Sequence, residues 1–94
     1  MYLSPENDRD GLRYVAQLVE ILRSERESRN WSALQLARES GVHHSVITRA
    51  ENGERIPGVP VLVRLCRALE LRLSEVCRRV EGGEEIDFQG SGMK

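Results

Sequence analysis

Residues 32–53 read SALQLARESGVHHSVITRAENG, and this stretch decides the fold. It describes two short helices joined by a tight turn. Ser32 is a helix N-cap, and Gln35, three residues on, fits a capping box with it. Trp31, just before the cap, stands where it can staple onto Leu36. Leu36 and Ala37 point inward, Gly41 ends the helix where a left-handed residue is easiest, and Val42 plugs the turn. The second helix runs from His43 or His44 to Asn52, and Gly53 closes it.

Spacing separates the two sides of that second helix. At about 100° per residue, Val46, Ile47 and Ala50 share one face. His44, Ser45, Thr48, Arg49 and Asn52 share the other, where every side chain can hydrogen-bond. Short side chains between longer ones let such a helix approach a surface closely, as a helix entering a DNA major groove must.

The residues LARESGVHHSVITRAENGERIP resemble the helix-turn-helix of the Cro and phage-repressor class, the XRE family. The matching features are Leu36-Ala37, Gly41-Val42, Ile47, Glu51, Gly53, Pro57 and Leu69, and the likeness extends over roughly Leu22 to Val76. It implies an all-α, five-helix, lambda-repressor-like DNA-binding domain. It also implies that Arg26 pairs with Glu51, tying the first helix to the recognition helix; a solvated charge within the run RSERESR is the alternative. Arg55, in the loop after the recognition helix, falls where the family places a basic residue along the DNA backbone. The chain departs from the pattern at Ala33, which replaces a glutamine common beside the helix-2 cap. That leaves the N–H groups of the helix-2 N-terminus to meet a phosphate.

The chain has 94 residues, enough for one small domain. Hydrophobic residues make up 39% and aromatics only 4%, so the core must be aliphatic and helical. No apolar run approaches the ~18 residues of a membrane span, and MYLSPENDRD lacks a signal peptide's basic start and apolar middle. Cys66 and Cys77 have no CxxC partner and sit in apolar helical patterns, so reduced thiols and a cytoplasmic location are expected. The net charge of −1 is unusual for a DNA binder. Its distribution softens this. Residues 81–94 hold four carboxylates against Lys94, whereas residues 1–80 carry 13 arginines against 11 carboxylates, a net +2. Charge near the phosphates is what matters for binding.

Read in order, the chain opens with a short arm, 1–7. Ser4-Pro5-Glu6 is a helix-start signal, and Asp8 or Asp10 offers a second cap. An extended first helix then runs to about Arg29. Leu12, Val15, Ala16, Val19 and Leu22 form one apolar stripe on it, and Tyr14, Leu18 and Ile21 form another. A peripheral helix needs only one stripe. The second either broadens the buried face or meets a second copy, which makes Tyr14, Leu18, Ile21 and, from the last helix, Val80 dimer candidates. Pro60 suits the first turn of a fourth helix, and the apolar series 62, 65, 69, 73, 76, 80 fits either one continuous helix or two. The family breaks after the position of Leu69, favouring glycine and then serine, where this chain has Glu70 and Arg72. The domain is expected to span 8–80, with 81–94 an acidic mobile tail.

Adjacent His43 and His44 point about 100° apart, and no cysteine or carboxylate completes a set, so a zinc site is not expected. No nucleophile–base pair or phosphate-cradling glycine loop marks an enzyme, and no cofactor is implied. The reading is a sequence-specific DNA-binding transcriptional regulator, a homodimer on a pseudo-palindromic operator. The alternative is an antitoxin-like or partner-controlled protein-interaction module on the same fold. Base contacts are expected from His44, Ser45, Thr48 and Arg49, and phosphate contacts from Ser32, His43, Asn52 and Arg55.

Overall fold

A computed structural model describes residues 9–82. Five helices follow one another in that span: α1 Arg9–Ser28, α2 Ala33–Ser40, α3 His44–Glu51, α4 Val59–Ala68 and α5 Leu73–Gly82. The expected arm, the Ser4-Pro5-Glu6 start, the Asp8 cap and residues 83–94 of the expected tail lie outside the described residues. Helix α5 continues through Gly82, two residues past the expected boundary.

Helix ends in this chain are set by left-handed residues. Asn30, Gly53 and Glu70 have φ of 59°, 78° and 58°. Each sits in a Schellman motif, in which two backbone N–H groups turn back to the last helical carbonyls. At the end of α1, Asn30 N–H donates to Glu27 O and Trp31 N–H to Arg26 O. After α3, Gly53 N–H reaches Ala50 O and Glu54 N–H reaches Arg49 O. After α4, Glu70 N–H reaches Arg67 O and Leu71 N–H reaches Cys66 O at 2.8 Å. This last motif decides between one helix and two. The chain breaks at Glu70 although glutamate gains nothing from a positive φ, because Leu71 then packs against the core and Arg72 O starts α5 by accepting from Glu75 and Val76.

The core is one aliphatic cluster with members from all five helices. Leu18 and Leu22 of α1, Leu36 of α2, Ile47 of α3, Leu62, Leu65 and Cys66 of α4, and Val76 and Val80 of α5 are buried, with Val42 and Leu69 between helices. Ala37 is only half-buried, since its small side chain stops at the edge of the cluster. Cys66 and Cys77 are free thiols, and burial pushes the Cys66 thiol up.

The stripe of Tyr14, Leu18 and Ile21 finds its company within the chain, which is the broadened buried face weighed against a dimer contact. Leu18 and Val80 are buried in the core, 3% and 5% exposed, and Ile21 packs against it. The Tyr14 hydroxyl donates to Glu81 Oε2 at 2.6 Å and lies 3.5 Å from Cys77 O. Burial, followed by these bonds, raises its phenol above the usual value. This stripe therefore faces α5 of the same chain. The other stripe, from Leu12 to Val19, walls a groove of about 460 Å³ together with Ala50 and residues 53–56.

Candidate nucleic-acid interface

The interface is built from three pieces of backbone: the N-terminus of α2, the outer face of α3 and the loop that follows it. Ser32 Oγ accepts from Gln35 N–H at 3.0 Å and caps α2. The Gln35 side chain does not return to complete the capping box; its Nε2 donates to Glu39 Oε2 at 2.8 Å along the helix. Ser32 is exposed, and its hydroxyl proton has no acceptor among the described residues. Together with the uncapped N–H groups of the first turn, it forms a donor cluster suited to a phosphate oxygen.

The turn fixes how α3 leaves α2. Gly41 has φ of 78° and its N–H donates to Ala37 O at 2.9 Å. The site demands glycine for conformation; a Cβ there would stand 3.2 Å from the guanidinium of Arg64, an exposed side-chain end that can give way. Sequence reasoning does not reach Arg64, because a polar residue between the apolar positions of α4 looks like any solvated arginine. Val42, 6% exposed, plugs the turn beneath.

His43 then caps α3 with its ring. Nδ1 accepts from Ser45 N–H at 3.1 Å and lies 3.0 Å from Ser45 Oγ. Nδ1 thus serves as the acceptor of the Ser45 N–H, with the Ser45 hydroxyl beside it. The Thr48 hydroxyl is committed: its Oγ1 lies 3.3 Å from His44 O and 3.2 Å from Ser45 O, in the back-bonded arrangement of a mid-helix threonine. His43, His44, Arg49 and Asn52 are exposed, while Ser45 and Thr48 are half-buried. Asn52 is the C-cap of α3, and its N–H donates to Thr48 O. Arg55 is exposed in the loop that Pro57, buried, anchors. All four residues expected at bases lie along one side of α3, and the four expected at phosphates lie at its two ends and at the start of α2.

Behind that surface, Arg26 and Glu51 lock α1 to α3. Arg26 Nε donates to Glu51 Oε2 and Nη2 to Glu51 Oε1, both at 2.9 Å, and Nη1 donates to Trp31 O at 2.7 Å. The fork is bidentate, with side chains only 11% and 12% exposed. Its electrostatic effect matters as much as its geometry. Glu51 is the one carboxylate within α3, and pairing neutralises it, leaving Arg49 to set the sign of the outer face.

A family model described as a helix-turn-helix, of the Cro/C1 type, matches residues 22–76, more than half of the chain. The chain belongs to this helix-turn-helix family. Its members are DNA-binding transcription regulators of the XRE type. No curated protein and no solved structure matches the chain significantly. Among the described residues, no helix is long and apolar enough to cross a membrane.

Proposed function

We propose that this helix-turn-helix chain reads a specific DNA sequence through α3 and does so as a homodimer on a pseudo-palindromic operator. The observation that carries the reading is the division of α3. Ile47 and Ala50 are buried, Glu51 is held by Arg26, and His44, Ser45, Thr48 and Arg49 remain along the side turned away from the core. Arg49 brings a planar fork to guanine O6 and N7, while Ser32, His43, Asn52 and Arg55 hold the flanking phosphates. The dimer contact falls on the groove walled by Leu12, Val15 and Ile56, because Leu12 and Ile56 are 45% and 60% exposed while the Leu18–Val80 surface is closed within the chain. An antitoxin-like or partner-controlled module is the second reading, with a different protein in the same groove.

The test measures affinity for a selected and a scrambled duplex at several salt concentrations. Arg49→Ala is expected to cost about 1–3 kcal/mol on the selected site and to relax preference at one or two base pairs. Arg55→Ala is expected to weaken both duplexes alike and lower the salt slope by about one. Equal weakening by Arg49→Ala on both duplexes would assign it to a phosphate and leave reading to His44, Ser45 and Thr48. Light scattering with and without DNA gives the state of assembly, and a protein that stays monomeric on its best site removes the dimer.

A further inference from the structure

The hydroxyl of Thr48, at the middle of α3, is restricted. A serine or threonine hydroxyl has one proton to donate and two lone pairs. The Thr48 proton has only acceptors of its own helix within reach, His44 O at 3.3 Å and Ser45 O at 3.2 Å. This donor is therefore committed to the protein before any DNA arrives. Ser45 differs: the one lone pair of His43 Nδ1 already accepts Ser45 N–H, so the hydroxyl 3.0 Å away is not tied to it. The donors left on this side of the helix are the His44 imidazole, the Ser45 hydroxyl, the Arg49 fork and the Asn52 carboxamide.

Resting on the DNA-reading function proposed above, we infer that Thr48 reads a thymine, with its methyl group against the C5-methyl of the base, and not a base acceptor through its hydroxyl. With Oγ1 turned back onto the helix, the methyl is the group of Thr48 that can meet a partner. Thymine is the base that offers an apolar group in the major groove. The lone pairs of Thr48 Oγ1 add a consistent constraint, since they accept only from the amino groups of adenine or cytosine. Guanine opposite Thr48, with acceptors alone on its groove edge, would face an acceptor oxygen and a methyl.

The test starts from a duplex selected from a random pool by the whole chain. Each thymine is then replaced singly by deoxyuridine, which removes one methyl and nothing else. At one position the wild-type protein is expected to lose about fourfold in affinity, the effect of exposing one buried methyl group. Thr48→Val keeps the methyl, so it should bind within about twofold of wild type and retain that loss. Thr48→Ser keeps the hydroxyl and drops the methyl, so it should bind thymine and uracil duplexes equally. The opposite ordering, with Thr48→Val collapsing by tenfold or more and Thr48→Ser unaffected, would show a hydroxyl donor and overturn the inference. Thermal melts of both variants establish that they fold. The uracil scan of the wild type stands without them: a selected site insensitive to uracil at every thymine rules out the methyl contact while leaving DNA reading intact. A protein that prefers no duplex sequence removes both.

Discussion

Arg26 and Arg49 are the same residue in two opposite situations. Arg26 comes from α1, is 11% exposed and has its fork closed on Glu51 and Trp31 O. Arg49 stands on α3, two residues before that same Glu51, exposed and with no carboxylate partner among the described residues. One helix therefore turns its acid inward and its base outward. On this helix a nearly neutral chain withdraws its carboxylate into a pair and leaves its arginine exposed, although Glu54, three residues on, stays exposed beside Arg55. Glu25 repeats the device, held by Arg29 Nη1 at 2.8 Å and by Arg79 at 3.1 Å. Net charge over the whole chain misses this, because binding responds to the field near the phosphates.

The comparison breaks most sharply when one arginine of each kind is removed. Arg26→Ala leaves Glu51 half-buried without its partner and Trp31 O without its donor. It should lower stability by about 2–4 kcal/mol, somewhat below the range for fully buried pairs, because water reaches the site. Arg49→Ala should change stability by less than about 0.5 kcal/mol, as exposed substitutions do, with its loss appearing in DNA affinity alone. Urea unfolding of the two variants, paired with titration against one duplex, measures both. If Arg49→Ala destabilised the fold as much as Arg26→Ala, the division of α3 into a holding and a reading side would be wrong.

How far this division was legible in the sequence differs along the chain. The α2–α3 unit was, because caps, glycine and apolar spacing are local: Ser32, Gly41, Val42 and Ile47 each have one good place to go. The side of α3 turned away from the core follows from the same spacing. The fate of the α1 stripes was not legible. A 20-residue helix with two apolar sides needs two neighbours, and only packing shows that Tyr14 meets α5 and that Leu18 and Ile21 meet the core, while the second stripe lines a groove with Ile56. Nor do local signals reveal the inward-turned hydroxyl of Thr48, since it depends on a rotamer. Glu25, Arg29 and Arg79 looked like ordinary charges because their links join residues up to 54 positions apart. Glu70 disguised the α4–α5 break by standing where glycine is the natural signal.

That disguise gives the next comparison, between two left-handed helix ends with the same hydrogen bonds. Gly53 closes α3 with no atom within 4 Å of its would-be Cβ, while Glu70 closes α4 at φ 58°. A side chain in this conformation costs about 1–2 kcal/mol, which glycine avoids. Glu70→Gly should therefore stabilise the domain by about 1 kcal/mol, less the entropy of a freer unfolded chain. Gly53→Ala should destabilise it by about the same amount, through backbone strain alone, since space is open. Thermal melts of the two single variants should move in opposite directions. A fall in stability for Glu70→Gly would mean that its side chain contributes a contact outweighing the strain.

The smallest effect separates the two roles of the Glu25 cluster. Arg29 both neutralises Glu25 and ties α1 to the α4–α5 turn, donating through Nη1 to Glu25 O at 3.0 Å and through Nη2 to Leu69 O at 2.6 Å. Both of those bonds end on backbone oxygens and survive when the Glu25 charge is removed. The bond from Arg29, and with it that from Arg79, holds the Glu25 carboxyl below its usual value of 4.5 against the opposing effect of burial. A carboxyl lowered in the folded state binds its proton more readily in the unfolded chain. Its contribution is complete above the unfolded value and disappears as pH falls through the folded one. Glu25→Gln should thus be less stable than wild type near neutrality, with the gap closing in acid. The gap should be small, because the Glu25 side chain is 24% exposed and water screens it. Melting temperatures of both proteins from pH 7 down to strong acid would trace the convergence. Parallel curves would mean that the cluster acts through the Arg29 backbone bonds and that withdrawing this charge contributes nothing to the fold.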